Sequence, residues 1–198
     1  MNITNTKLIS KQLLDNVDQY VKLKKYPIIH QAISLIISQK ISFQQGRTIR
    51  RKLFEIVKND CFTKENLSNI QDEEFAKLGI DSSKMLTIKN VLNTNFVDNS
   101  EFISKIGKIK GIGDWTTKCL QIMFEIDNDI FLFEDLWIRK RISELVEADR
   151  VLTAKECEKI SIQWKGYRSQ VSVLFWRIKP EGIKAIIAKE NLIREHFL

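Results

Sequence analysis

Only two prolines and seven glycines interrupt a chain of 198 residues. Both residue types break or bend regular structure, so a chain this poor in them is expected to run as helices joined by short connections. The apolar pattern agrees. Ile9, Leu13, Leu14, Val17, Val21 and Leu23 recur at helical spacing over 7–24. Residues 28–39 are apolar on most faces (Ile28, Ile29, Ala32, Ile33, Leu35, Ile36, Ile37), the mark of a buried central helix. Further helices are expected over 42–58, 64–70, 72–78, 82–94, 100–107, 114–124, 134–146, 153–163, 167–178 and 181–195. Ser42 and Asp81 read as N-caps, Gly79 as a helix stop, and Pro27 and Pro180 as residues that open helices. No segment alternates as a strand does, and the expected fold is all-α.

The length suits one large domain or two small helical ones, and it can bury a core without disulfides or a structural metal. Lys and Arg exceed Asp and Glu by 32 to 25, a net charge of +7, which favours a polyanionic partner such as nucleic acid. Cys61, Cys119 and Cys157 are odd in number and far apart, and only His30 and His196 could join them. Neither a zinc site nor an iron–sulfur cluster is expected. Unpaired cysteines fit a reducing compartment, and the polar N-terminus lacks a signal-peptide core, so a cytoplasmic protein is expected. No stretch approaches the roughly 20 apolar residues of a membrane span.

The most informative run is Ile106-Gly107-Lys108-Ile109-Lys110-Gly111-Ile112-Gly113-Asp114-Trp115-Thr116. Two amphipathic helices meet at a G-I-G turn. Glycine permits positive φ and keeps side chains out of the way of a ligand. Backbone N–H groups at the start of the second helix then suit a phosphate oxygen, with Lys108 and Lys110 adding charge. The bland alternative is an ordinary helix–helix turn.

This run resembles the hairpin of the helix–hairpin–helix DNA glycosylase superfamily, and its G-I-G-x-W-T form is most similar to the 3-methyladenine DNA glycosylase II branch. Other segments follow in the family's order. Ile37-Ser38-Gln39-Lys40-Ile41-Ser42 is similar to the I-x-Q-Q-x-S segment, and Leu78-Gly79-Ile80-Asp81-Ser82-Ser83-Lys84 to L-G-[IL]-S-x-x-K. Phe133-Glu134-Asp135-Leu136-Trp137-Ile138 resembles the segment with the catalytic aspartate. Trp164-Lys165-Gly166-Tyr167-Arg168-Ser169, with Trp176 beyond, is similar to W-x-P-[YW]-R-S. The resemblance covers roughly residues 25–180. It implies a single glycosylase domain made of a central helical subdomain (about 25–115) and a second one (1–24 and 116–198), with DNA and base meeting between them. The β-rich N-terminal domain of longer members is not expected in these 198 residues.

From local sequence, Asp135 reads as a helix cap, with Glu134 as its neighbour. The resemblance makes Asp135 catalytic. Breaking the bond from C1′ to a base nitrogen builds positive charge on the sugar, and an oriented carboxylate stabilises it or activates water. Superfamily members with lyase activity carry a lysine two residues after the second glycine of the hairpin. That position is Trp115, which cannot form a Schiff base. A monofunctional enzyme acting on alkylated purines such as 3-methyladenine is therefore expected. The alternatives are a glycosylase for deaminated or oxidised bases and a non-catalytic DNA-binding module.

A base acted on within duplex DNA must be flipped out and held between aromatic faces. By resemblance Trp115 and Trp176 line this pocket. Cys119 stands where a pocket tyrosine is familiar, and Trp137 is open between pocket and core. Gln39, Lys40 or Ile41 is expected to fill the gap left by the flipped base. Lys108, Lys110, Gly111, Ile112, Gly113, Lys118 and Arg168 are expected to contact DNA. Lys110 and Gly166 replace family prolines. Family hairpins hold a monovalent cation on backbone carbonyls, here those of Gly107, Ile109 and Gly111. Double-stranded DNA is the expected partner of a monomer.

Overall fold

The structure, a computed structural model, describes residues 26–178 and 181–185. The expected helix at 7–24, Pro180 and the rest of the 181–195 helix lie outside the described residues. Every described element is helical: α1 (Ile28–Ser38), α2 (Phe43–Val57), α3 (Lys64–Ser68), α4 (Asp72–Lys77), α5 (Ser82–Leu92), α6 (Asn99–Ile106), α7 (Asp114–Met123), α8 (Leu136–Leu145), α9 (Ala154–Ser161) and α10 (Arg168–Arg177). A 3₁₀ turn, Ile162–Trp164, extends α9, and residues 181–185 are helical. Among the described residues no helix is long and apolar enough to cross a membrane.

The caps lie where the sequence places them. The Ser42 hydroxyl accepts the Gln45 N–H at 3.2 Å, while the Gln45 side chain accepts the Ser42 N–H at 3.0 Å, a reciprocal capping box. Asp81 accepts the Lys84 N–H at 2.9 Å and starts α5. Gly79, at φ +81°, ends α4. Its N–H bonds the Ala76 carbonyl at 2.9 Å and the Ile80 N–H bonds the Phe75 carbonyl at 3.1 Å, a Schellman closure with buried Phe75 and Ile80 in its apolar contact.

The described chain divides into two compact units. One runs through Ile126 and the other starts at Asp127. The sequence puts this boundary near 115. It falls later because α7 packs against α1 and α6, so the helix after the hairpin stays with the helices before it.

In the first unit α1 is the central element and contacts α2, α5 and α7. Its Ile28, Ile29, Ala32, Ile33, Ile36 and Ile37 are all buried, as the continuous apolar run requires. They join Leu53, Phe62, Phe75, Ile88, Phe102 and Ile106 in one core. His30 is part of that core: its Nδ1 accepts the Phe62 N–H at 3.1 Å and its ring stacks on Tyr26 and Phe62. In the second unit α8 packs on α9 and α10. Trp164 is buried against Phe131 and Phe175, so this tryptophan belongs to the core.

Candidate nucleic-acid interface and catalytic carboxylate

The bend between α6 and α7 is shaped by one backbone angle. Gly111 has φ +98°, and a Cβ there would lie 2.3 Å from the Thr87 Oγ1. Both the angle and the contact demand glycine. Thr87 uses this closeness: its hydroxyl lies 3.1 Å from the Lys110 carbonyl and 2.9 Å from that of Ser83. Gly113 meets a different need. It caps α7 with an ordinary φ of −99°, no side-chain cap, and open space where a Cβ would be. A helix start left open in this way presents its first N–H groups outward, the arrangement that suits an anion. Lys108 and Lys110 are exposed on either side of Ile109, and Ile112 is buried and anchors the turn in the core. Gly107 meets the Thr117 methyl across the bend, so the two helices approach closely there.

Gln39 is the residue whose role the sequence hides. Its side-chain amide donates to the Gly111 carbonyl at 3.1 Å and lies 3.2 Å from the Thr116 hydroxyl. The end of α1 is therefore tied to the bend. Lys84 secures the same end from α5, donating to the carbonyls of Ile37 at 3.1 Å and Gln39 at 2.7 Å. Lys40 then sits exposed with φ +56°, an unusual angle for a non-glycine residue, and Ile41 is half-buried. Of the three residues expected to enter DNA, Gln39 is engaged in holding the hairpin.

Asp135 opens α8. One carboxylate oxygen accepts the N–H groups of Trp137 at 2.8 Å and Ile138 at 3.1 Å. The cap reading from local sequence is correct, and it leaves the carboxylate half-buried in a fixed orientation. Phe131 and Leu132, just before it, are buried and anchor the approach to the helix. Trp137 is 46% exposed, and the Arg141 guanidinium lies over its ring, 4.4 Å from the centroid. Arg141 is buried and pairs with Glu144. Trp137 is thus a surface aromatic with one face against a cation. Trp176 is half-buried on α10, and Trp115 is half-buried on the first turn of α7. Cys119 is fully buried.

Two residues expected to contact DNA make ion pairs within the chain. The Arg168 guanidinium grips both oxygens of Asp129 at 2.8 Å each, and Asp129 also accepts the Gly166 N–H at 2.7 Å. Arg168 thereby holds the Asp129 carboxyl below its ordinary range. The pair forms an internal clasp between the loop before Ile130 and the start of α10, reinforced by Ser169. Lys118 pairs with Asp114 at 2.6 Å on the same helix. Gly166 has φ +92°, which a proline ring cannot adopt, so the family's proline is excluded from this turn.

A backbone bend open to an anion, in a chain whose described elements are all helical and with a capped aspartate beginning a later helix, fits a helix–hairpin–helix glycosylase fold. Solved structures that share this architecture include 3-methyladenine DNA glycosylases. The enzyme of Schizosaccharomyces pombe, solved in complex with abasic DNA, matches with a TM-score of 0.70 and 21% identity over 88% of this chain and 92% of its own. Those of Bacillus halodurans (0.60, 18%, 89% and 88%) and Archaeoglobus fulgidus (0.65, 19%, 83% and 67%) share the fold. In sequence the chain is 22% identical over 179 residues to DNA-3-methyladenine glycosylase 1 of S. pombe, 84% of this chain and 78% of that protein. No family model matches.

Proposed function

We propose that this chain is a DNA glycosylase of base excision repair that hydrolyses the N-glycosidic bond of alkylated purines such as 3-methyladenine and leaves an abasic site. The observation that carries the reading is the placement of Asp135, a carboxylate fixed by two backbone N–H groups at a helix start, in a chain whose fold is that of 3-methyladenine DNA glycosylases.

The first unit supplies the grip. The N–H groups at the start of α7 take a phosphate oxygen, and Lys108 and Lys110 add attraction that falls with salt. An alkylated purine carries positive charge and leaves readily, so little acid catalysis is needed. Asp135 stabilises the positive charge that grows on the sugar as the bond to C1′ breaks, and positions the water that replaces the base. Trp115, half-buried on the first turn of α7, offers an aromatic face to a flipped cationic base. With Trp115 two residues after Gly113, that position has no amine for a Schiff base, so the strand stays uncut.

A monovalent cation at the hairpin belongs to the same proposal. The Ile109 carbonyl accepts the Ile112 N–H at 3.0 Å and the Gly111 carbonyl accepts Gln39. Each carbonyl has two lone pairs, so each keeps one for an ion, and the carbonyl of Gly107 would be the third ligand.

Excision assays on duplexes carrying 3-methyladenine, 7-methylguanine, hypoxanthine, uracil or 8-oxoguanine test the substrate class. Release of the methylated purines is expected to dominate. Preferential release of a deaminated or oxidised base would overturn that choice.

A further inference from the structure

Arg47 and Arg50 lie three residues apart on α2, neighbours on one side of the helix. Residues 39–54 hold five basic side chains and no acidic one, so no carboxylate of this stretch neutralises the pair. Arg50 is placed with precision. Its Nη1 donates to the Ser38 hydroxyl at 2.6 Å, and that hydroxyl donates in turn to the Ser34 carbonyl at 2.8 Å. Gly46 makes the approach possible: a Cβ there would lie 3.1 Å from the Ser38 Oγ and 3.3 Å from the Arg50 Nη1. The guanidinium is thus held in one direction, and one of its five donors is used.

Two like charges at this spacing repel. Partial burial, and then the charge of Arg47, hold the Arg50 guanidinium below its ordinary value, although it stays protonated. Two solvated arginines on a surface helix would swing apart, but Arg50 is fixed by Ser38 and packed beside Gly46. An anion shared by the pair relieves both the repulsion and the unused donors. The planar fork of each guanidinium matches the oxygens of a phosphate.

The pair is tied to the hairpin through two consecutive residues. Ser38 holds Arg50, and Gln39 holds the Gly111 carbonyl. Their Cα atoms are about 3.8 Å apart across one peptide bond. A duplex offers a phosphate about every 1.7 Å along its axis, counting both strands, so one duplex reaches both places.

We propose that Arg47 and Arg50 form a phosphate clamp, separate from the hairpin, that holds a backbone phosphodiester of the bound duplex. The proposal rests on the glycosylase reading for its ligand, double-stranded DNA, and goes beyond it in giving α2 a share of the binding. A contact to phosphate carries no sequence information, so the clamp serves undamaged and damaged DNA alike.

The test uses the full chain, with an undamaged duplex and one containing a tetrahydrofuran abasic analogue, and follows binding by fluorescence anisotropy across a salt series. The Arg47→Ala/Arg50→Ala double variant is expected to flatten the slope of log K against log salt by about 0.9, the loss of one phosphate contact. With equal binding at about 1 M salt, that slope gives a loss of about eightfold at about 0.1 M, on both duplexes. Arg47→Ala alone is expected to flatten the slope in the same sense, and because Arg47 is exposed this variant decides the question should the double variant fail to fold. Lys52→Ala is the control for net charge. Lys52 lies five residues after Arg47, about 140° round the helix, and its removal is expected to leave the slope as in wild type. An unchanged slope in the arginine variants, an equal change in Lys52→Ala, or a loss confined to the abasic duplex overturns the clamp. Inorganic phosphate separates the two sources of the ligand. Thermal stabilisation of wild type by phosphate that the double variant loses, with the DNA slope unchanged, would assign the pair to free phosphate and overturn the DNA clamp. If wild type releases no methylated purine, the enzymatic reading fails by itself, and the salt series still decides the clamp.

Discussion

Gln39 and Gly111, 72 residues apart in sequence, meet through a hydrogen bond of 3.1 Å from side-chain amide to backbone carbonyl. The bond fixes the loop after α1 against the hairpin, so two segments that face the same partner move as one. Removing the amide leaves the hairpin carbonyl and the Thr116 hydroxyl without this donor. Gln39→Ala is expected to cost about 1 kcal/mol of stability in urea unfolding and to weaken DNA binding by more than that loss of folded protein explains. Unchanged stability and affinity would show that the clasp is incidental.

Gly111 is the more stringent position. Alanine there must adopt a left-handed angle and meet the Thr87 hydroxyl at 2.3 Å. Gly111→Ala is expected to lower stability by about 2 kcal/mol or more. Adding Thr87→Ala should recover the part due to the clash and leave the part due to the backbone angle. Full recovery would mean that φ at this residue carries no strain.

Electrostatics make a pH prediction in the second unit. Glu156 accepts bonds from Arg150 and from the Thr153 backbone and hydroxyl, which hold its carboxyl at about 2 against an ordinary value of 4.5. A carboxyl depressed in the folded state stabilises above the unfolded value, and that contribution is lost as pH falls from about 4.5 toward about 2. Wild type should therefore exceed Glu156→Gln in stability at neutral pH, with the gap closing in that acid window. A gap that persists unchanged to pH 2 would contradict the assignment.

Helix type and order were legible because the apolar periodicity is strong and the caps are explicit: Ser42, Gly79 and Asp81 all act as read. The hairpin was legible from its glycines. Long-range polar pairing was not. Nothing near Arg168 in sequence announces that Asp129, 39 residues earlier, takes two of its donors, and nothing near Gln39 announces the Gly111 carbonyl. A lone polar residue carries no signal of its distant partner. The exposure of Phe43 was hidden for the same kind of reason, since an apolar residue after a helix cap ordinarily reads as core.

The lyase question has its own readout. With Trp115 in place of a hairpin lysine, incubation with an abasic duplex is expected to give no borohydride-trapped adduct and no strand break before alkali. A trapped adduct would identify another amine and make the enzyme bifunctional.

Asp135 combines a structural and a chemical duty, and asparagine separates them. Asn caps helices about as well as Asp, so Asp135→Asn should fold with wild-type stability, whereas alanine would cost about 1 kcal/mol. The decisive measurement is release of methylated purines from alkylated duplex DNA by wild type and Asp135→Asn, scored as alkali-labile sites under single-turnover conditions. The account predicts alkali-labile sites with wild type and a loss of at least about a hundredfold in rate for the asparagine variant, with DNA affinity retained. Equal rates for the two proteins would show that the carboxylate at the head of α8 is only a cap.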